Sequence, residues 1–461
     1  MRVEPLDLPL VVERSGAGPM SAQLVAQFRA AMREGRLAAG ERLPSSRALA
    51  GVVGVSRTVV TEAYEQLYAE GWLEGRHGSG TYVTDGVAAP PPGPAPEAFP
   101  ERRAAPAGTG AGVIDLRPGD AWTGALDTPA WRRAWRLAAR MPPPVPRRDP
   151  EGLPGLRAAL AGYIRRSRGV ACPVDGLLVT RGATNGLDLL AATVLGRGER
   201  VGVEEPGYGR ARAVLEGRGA QIVPCPVDEH GLIVEGLPDD LRLVYTTPSH
   251  QYPLGGVLPV PRRQALLAWA RRTGALVAED DYDGEFRYDV APLPALYGLD
   301  PDAVVYLGTT AKILTSDMGV GWLVARPGLV AEIARRREEF NDRPAVVPQE
   351  ALRELLVRGD LDRYIRRMRA EYGRRRAAVV RALSGLRLRG DTAGLHVVVD
   401  LPGPVAERAA REAARRGVLL DTLERHHARP PGATGLVIGY GAPAGLAELR
   451  AGCAVVRELV A

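Results

Sequence analysis

Lys312 is the only lysine in a chain of 461 residues whose lysines and arginines total 60. Arginine stands at every other basic position of that kind, and a surface ammonium could drift to arginine at little cost. A nitrogen that must condense with an aldehyde cannot, because guanidinium stays protonated. Lys312 is therefore a candidate Schiff-base residue, reached through Val304-Val305-Tyr306-Leu307-Gly308-Thr309-Thr310-Ala311. Three other stretches suit related chemistry. Arg181-Gly182-Ala183-Thr184-Asn185-Gly186 is a small-residue turn opening a helix, whose free N–H groups and dipole suit a phosphate. Glu205-Pro206-Gly207-Tyr208 sets an aromatic ring in a loop. Glu279-Asp280-Asp281-Tyr282-Asp283-Gly284-Glu285 is an acidic run, and one carboxylate held against a pyridinium nitrogen would preserve an electron sink. Singly, each has a commoner reading: an ordinary βα turn, a core tyrosine, solvated loop carboxylates.

All four follow apolar, strand-like runs. Residues 177–180, 200–203, 241–245, 275–278 and 304–307 read as strands, and 185–195 and 262–272 as helices between them. Such alternation predicts an α/β unit: a mostly parallel sheet with helices on both faces, binding ligands at the carboxyl ends of its strands. From about Val330, long arginine-rich helices mixed with short strands predict a smaller α+β subdomain.

The first 85 residues are built differently. Leu24, Val25, Phe28, Ala31 and Met32 recur at helical spacing, with Gly35 as a stop. Ser45 or Ser46 can cap a second helix running to about Val53, Gly54 breaks it, and Ser56 caps a third over 57–70 with Val59, Ala63 and Leu67 inward. This is helix-turn-helix geometry, with Arg57, Thr58 and Thr61 opposite the core, where an arginine reaches guanine edges or phosphate. Two short strands, at 72–74 and 81–83, flank the glycine-rich turn Gly75-Arg76-His77-Gly78-Ser79-Gly80, a wing of the kind that lies over the backbone or dips into the minor groove. Residues 20–84 hold seven arginines and six glutamates, a balance of only +1. The net charge of +6 therefore does not by itself argue for nucleic acid; the placement of the arginines does.

Residues 12–85 are taken as one domain, 86–112 as a Pro/Ala-rich linker and 113–461 as a second domain. The linker's 27 residues, in extended polyproline form at ~3.1 Å each, reach roughly 80 Å. An apolar content of 45% allows large cores, and no apolar run is long enough to span a membrane. The acidic N-terminus lacks a signal-peptide pattern, which predicts a cytoplasmic location. Cys172, Cys225 and Cys453 are too widely spaced for a zinc motif or a disulfide framework, and His426-His427 read as exposed loop residues, so no metal site is expected.

The order of the N-terminal motifs resembles the GntR winged-helix module almost continuously: Glu41-Arg42-Leu43-Pro44-Ser45-Ser46-Arg47, Gly54-Val55-Ser56-Arg57-Thr58-Val59, Ala63-Tyr64-Glu65-Gln66-Leu67 and Gly78-Ser79-Gly80-Thr81-Tyr82-Val83. The resemblance implies DNA contacts from Arg42, Ser45, Ser46, Arg47, Ser56, Arg57, Thr58, His77, Gly78 and Thr81. The second domain is similar to fold-type I aminotransferases. Arg148-Asp149-Pro150-Glu151-Gly152, Thr247-Pro248-Ser249-His250-Gln251-Tyr252-Pro253, the acidic run and Tyr306-Leu307-Gly308-Thr309 resemble, more narrowly, the MocR subgroup of the GntR regulators. That likeness implies pyridoxal 5'-phosphate (PLP) as cofactor. Lys312 would form the internal aldimine, Asp280 would pair with the pyridine nitrogen, Tyr282 with the ring oxygen, and Tyr208 would stack on the ring. Gly182, Ala183, Thr184 and Thr309 would hold the phosphate. It also implies a head-to-tail homodimer, a promoter as partner, and PLP, or an adduct of PLP with an amine or amino acid, as effector.

The sequence departs from that pattern at the phosphate. Ala311 replaces the usual serine, and Gly319 the usual arginine seven residues after the lysine, with Asp317 nearby. One charge-assisted bond contributes ~1.5–3 kcal/mol, so its loss weakens binding about 10- to 100-fold. Arg147 is a candidate substitute. No arginine falls in register within Gly435-Leu436-Val437-Ile438-Gly439-Tyr440 to clamp a substrate carboxylate, although Arg425 or Arg429 could reach in. A poorly oriented amino acid transaminates slowly, which favours a sensor over an efficient enzyme. Two rivals remain at this level: a working aminotransferase with an auxiliary DNA-binding module, and a regulator whose PLP site has decayed.

Overall fold

The computed structural model of the chain describes residues 8–14, 18–76, 80–85, 112–142, 149–430 and 432–460. It divides into two units, Met1–Ala107 and Gly108–Ala461.

In the first unit, α1 (Met20–Arg33) buries Leu24, Val25, Phe28, Ala31 and Met32, the five residues at helical spacing. Helix α2 (Ser46–Val53) begins after Ser45, whose side chain accepts from Ala48 N at 3.2 Å, so Ser45 and not Ser46 is the cap. It ends at Gly54 in the left-handed region (φ +74°), which lets the chain turn directly into α3 (Arg57–Ala69), capped by Ser56. The inward face of α3 is Val60, Ala63, Tyr64 and Leu67; Val59 is only half-buried at its margin. Tyr64 takes the extra place because its ring packs edge-on against Phe28, 5.9 Å between centroids, and its hydroxyl donates to Pro44 O. Strands β2 (Leu73–Arg76) and β3 (Gly80–Val83) pair antiparallel, and β3 also pairs with β1 (Arg42–Leu43), a strand hidden in what reads as a plain connecting link.

The second unit is built on an eight-stranded sheet. After β4 (Ile114–Asp115), α4 (Pro129–Ala139) and α5 (Pro154–Arg168) come β5 (Leu177–Thr180), α6 (Ala183–Val194), β6 (Arg200–Glu205), α7 (Gly209–Gly217), β7 (Gln221–Asp228), β8 (Gly231–Leu232), β9 (Leu243–Thr246), α8 (Val260–Thr273), β10 (Leu276–Asp280), β11 (Val304–Thr309) and β12 (Gly321–Val324). The order is β5-β12-β11-β10-β9-β6-β7-β8, parallel from β11 through to β7, with β12 antiparallel to both β11 and β5. Strand residues alternate between two cores: Val179, Val277, Val304, Tyr306 and Trp322 face one, and Leu178, Ala278, Val305, Leu307 and Leu323 the other. Two of the larger strands give a weak signal in sequence. β7 carries Pro224 and Pro226, tolerated because Pro226 O meets Ile233 N on the outer edge, where the missing donors also point; β12 is a four-residue Gly-Trp-Leu-Val run.

The smaller subdomain begins later than Val330. Helices α9 (Pro327–Glu339) and α10 (Val346–Val357) pack on opposite faces of the large sheet. The third core belongs instead to α11 (Asp360–Ala382) from Met368 onward, its Leu361 and Ile365 still packing in the first core, to an antiparallel sheet of Leu388–Arg389, His396–Asp400, Gly435–Gly439 and Asp421–Thr422, and to two flanking helices, α12 (Gly403–Arg415) and α13 (Leu446–Val460). β4 and Leu116, which open the unit in sequence, also join this core, through pairing of β4 with Val418–Leu419. Among the described residues no helix is long and apolar enough to cross a membrane.

Because β12 runs against its neighbours, its first residue, Gly321, enters at the carboxyl end of the sheet, opposite Thr180 of β5 and Thr309 of β11. A methyl group there would stand 2.5 Å from Gly182 Cα and 2.7 Å from Gly308 O. Gly321→Ala should therefore cost about 1–3 kcal/mol of stability, read as a lower denaturant midpoint. Gly328→Ala, in α9 with no atom within 4 Å of the added carbon, should not lower it.

Candidate functional site

In the winged-helix unit Arg42, Ser45, Arg47, Ser56, Arg57 and Thr58 are all exposed, and Ser46 is half-buried. The Arg57 guanidinium donates to Ser46 Oγ at 3.4 Å, joining the first turns of α2 and α3, whose N-terminal N–H groups add to the positive field. Arg42 lies along β1 beside Gly80, where a Cβ would be 3.0 Å from its Nε. The Thr81 hydroxyl is already engaged, accepting from Tyr68 at 2.8 Å. His77 and Gly78 lie outside the described residues.

In the larger unit, Lys312 sits in the turn after β11, closed by a bond from Leu314 N to Thr310 O and pinned by the buried side chains of Ile313 and Leu314. Its Nζ donates to Gly119 O. Burial lowers its pKa, while Asp120, Asp283 and Asp280 act the other way. Asp280 ends the neighbouring strand β10, buried, with Oδ2 accepting from Tyr245 of β9 at 2.6 Å. Its other oxygen, Oδ1, is buried and has no partner among the described residues. Burial pushes this carboxyl up to about 7.

The remaining members converge on the same rim. Gly182 precedes α6 at φ +96°, a conformation open to glycine, and its missing side chain faces Thr309 Oγ1. Ala183 and Thr184 form the first turn of α6, and Thr309 is buried at the end of β11. Tyr208 opens α7 after β6; burial raises its phenol, Asp280 adds to this, and Arg210 and Thr184 oppose it. Tyr282 packs beside His250, donating to the His250 carbonyl at 3.1 Å. A pyridine ring carrying a phosphate fits this arrangement: an unpaired buried carboxylate oxygen for the nitrogen, and a helix N-terminus over a side-chain-free floor for the phosphate. Gly319 stands where an arginine would grip that phosphate. It is exposed at φ +59°, so its conformation itself disfavours a side chain. Arg147 lies outside the described residues.

Several neighbours have no local sequence signal. Tyr245 is a strand tyrosine until β9 and β10 pair. Arg210 lies on the first turn of α7 and acts electrostatically on Lys312, Tyr208 and Tyr252. Histidines distant in sequence gather around Tyr252: the His396 and His426 rings lie 5.3 and 5.2 Å from it, and His250 lies 5.1 Å from His396. His426 is therefore buried, and His427 is largely covered too, with Nδ1 3.2 Å from Glu205 Oε1. Both contradict the expectation of exposed loop histidines, because Glu205 and Gly207 of the β6 loop bind this turn through Ala428 N, Arg429 N and His426 O. Arg425 is exposed and paired with Asp421, and Val437 is buried in its strand.

The raised pKa of Asp280 makes stability fall as its carboxyl ionises. Its carboxyl is neutral in both folded and unfolded chains below about pH 4, so any stability it contributes is fully present there and is lost as pH rises through about 7. In ligand-free protein, Asp280→Asn should match the parent's unfolding free energy at pH 4 and exceed it at pH 8, by at most about 4 kcal/mol. An identical pH dependence in both proteins would contradict the burial of an unpaired charge.

Comparison with known proteins agrees with this two-part fold. Residues 20–83 match the gntR family of bacterial regulatory proteins, and residues 118–436 match aminotransferase class I and II. The HTH-type pyridoxine biosynthesis transcriptional regulator PdxR of Corynebacterium glutamicum is 36% identical over 94% of this chain and 95% of its own. The probable rhizopine catabolism regulatory protein MocR of Rhizobium meliloti is 33% identical over 94% and 92%. An archaeal alanine:glyoxylate aminotransferase superposes on 76% of this chain and 91% of its own with a TM-score of 0.71 at 24% identity, a likeness of fold. With a winged helix-turn-helix followed by a class I/II aminotransferase fold along nearly its whole length, the chain belongs to the MocR subgroup of the GntR transcriptional regulators.

Proposed function

We propose that this regulator reads PLP, or a PLP–amine adduct, at Lys312 and converts its binding into a change in promoter affinity. The observation that carries the reading is the pairing of a desolvated lysine with a buried carboxylate that has one oxygen unpartnered, Asp280 Oδ1. PLP supplies an electrophilic aldehyde and an electron-withdrawing ring when bound. Lys312 offers the amine, and its lowered pKa leaves more of Nζ with a free lone pair at neutral pH. Asp280 takes the ring-nitrogen side, Tyr282 the ring oxygen and Tyr208 the ring face. Gly182, Ala183, Thr184 and Thr309 take the phosphate. The 36% sequence identity with a pyridoxine biosynthesis regulator supports PLP itself as effector.

Residues 12–85 act as the DNA-binding domain, 86–112 as a spacer and 113–461 as the effector domain. Arg42, Arg47, Arg57 and Thr58, with Ser45, Ser46, Ser56, Thr81 and the wing residues His77 and Gly78, serve promoter DNA. A 27-residue linker, which could span up to roughly 80 Å if fully extended, supports a head-to-tail homodimer in which each winged helix meets the partner's effector domain. A ligand changes DNA affinity only through unequal affinity for two arrangements of the protein. The buried, apolar strand around Val437 offers no cation for a substrate carboxylate, which supports sensing over turnover.

Two measurements test this. With PLP, the full chain should show a visible absorption band that Lys312→Ala loses; identical spectra would overturn the cofactor role. Arg57→Ala should weaken binding to a fragment of the protein's own promoter by about 1–3 kcal/mol in fluorescence anisotropy, leaving that band intact.

A further inference from the structure

Tyr282 is held by a buried pair that the functional reading leaves unused. His250 Nδ1 lies 2.8 Å from Asp283 Oδ2 and 2.9 Å from the Tyr282 hydroxyl, and that hydroxyl donates to the His250 carbonyl at 3.1 Å. His250 and Asp283 are 3% and 2% exposed. A carboxylate only accepts, so the hydrogen of the His250–Asp283 contact resides on Nδ1, and the Tyr282 oxygen shares that donor. The ring has nowhere else to go. A Cβ on Gly394 would stand 2.0 Å from His250 Cε1, and one on Gly255 would stand 3.2 Å from Nε2. The groups facing His250 are Asp283 and Tyr282 from its own side of the site, and His396 and Asp391 from the smaller subdomain. Burial drives the His396 pKa down to about 3, so that ring stays neutral beside it.

We propose that His250, fixed by Asp283, is a positioning residue that aims the Tyr282 hydroxyl at the ring oxygen of the bound cofactor and strengthens it as a donor. The inference rests on the PLP reading. An N–H directed at a phenol oxygen draws electron density from it and makes its proton a better donor, an effect amplified where water is excluded. In the ligand-free protein that proton has a long bond to the His250 carbonyl and the Asp283 carboxylate within reach, so a ligand oxygen takes it in exchange for one of these acceptors. Without His250, the phenol would lose this donor and Asp283 would be left buried with its charge uncompensated.

The test uses the full chain with PLP, following the Lys312-dependent visible band across PLP concentration and pH. His250→Leu should weaken PLP binding about tenfold and move the pH midpoint of the band in the same direction as Tyr282→Phe. It should add nothing further in the Tyr282→Phe background. His250→Asn, whose amide N–H can replace Nδ1–H, should restore most of the affinity. Asp283→Asn leaves the imidazole in place and should give a smaller shift of the same sign, which keeps the idea testable if His250→Leu folds poorly. Wild-type affinity and midpoint in both His250→Leu and Asp283→Asn would overturn the proposal, as would an undiminished His250→Leu effect when Tyr282 is already phenylalanine. Absence of any Lys312-dependent band in the wild type would overturn the PLP reading and this inference together.

Discussion

The burial of Glu279, Asp280, Asp281, Asp283 and Glu285 at the end of one strand constrains the rest of the effector unit. Charges cannot be withdrawn from water without partners, and the partners come from several elements, with α5 supplying two of them. Arg168, from the end of α5, grips both oxygens of Asp281, which also accepts from Tyr306 of β11 at 2.7 Å. The two oxygens of Glu279 take Leu296 N and Tyr297 N at 2.7 and 2.9 Å. Tyr163 donates to Glu285 at 2.8 Å. Such a network adds little net stability over an apolar core, but loss of one partner typically costs about 3–5 kcal/mol. Its effect is to specify a single arrangement of α5, β9, β10 and β11. Within that arrangement Asp280 keeps one fully buried oxygen without a partner among the described residues, which is why the cluster reads as a prepared site as well as a structural knot.

The second constraint is that the rim is assembled from both the large sheet and the smaller subdomain. Lys312 meets Gly119, whose segment leads out of the smaller core. Glu205, just before Tyr208, holds the His427–Arg429 turn through two backbone N–H groups and an imidazole. His250 is clamped by Gly394, just ahead of the His396–Asp400 strand. A ligand on Lys312 would therefore touch groups whose positions depend on how the two parts pack. That dependence is the physical requirement for a binding event to be felt outside its pocket.

The winged-helix unit was legible in the sequence because its signals are local. Ser45, Gly54 and Ser56 mark helix ends within a turn of where they act, and the α1 stripe is a simple period. Val60 in place of Val59 on the buried face of α3 was not, since the choice goes with Tyr64 packing edge-on against Phe28. In the larger unit the apolar strands could be read from their composition, whereas β7 with its two prolines and the four-residue β12 could not.

By itself the sequence determined the two-part organisation, the strand-to-turn positions of Gly182, Asp280 and Thr309, and the singular status of Lys312, because these depend on residue type and near neighbours. Tertiary structure alone decided which polar groups are buried and with whom. Arg168 meets Asp281 across 113 residues, Tyr245 meets Asp280 across 35, and His250 and His396 share one wall. It also moved His426 and His427 from an expected surface loop to the interior, and moved the boundary of the smaller subdomain past α10. A polar side chain is buried only when the fold delivers a partner to it, and those partners come from strands and loops that meet only once the chain has folded.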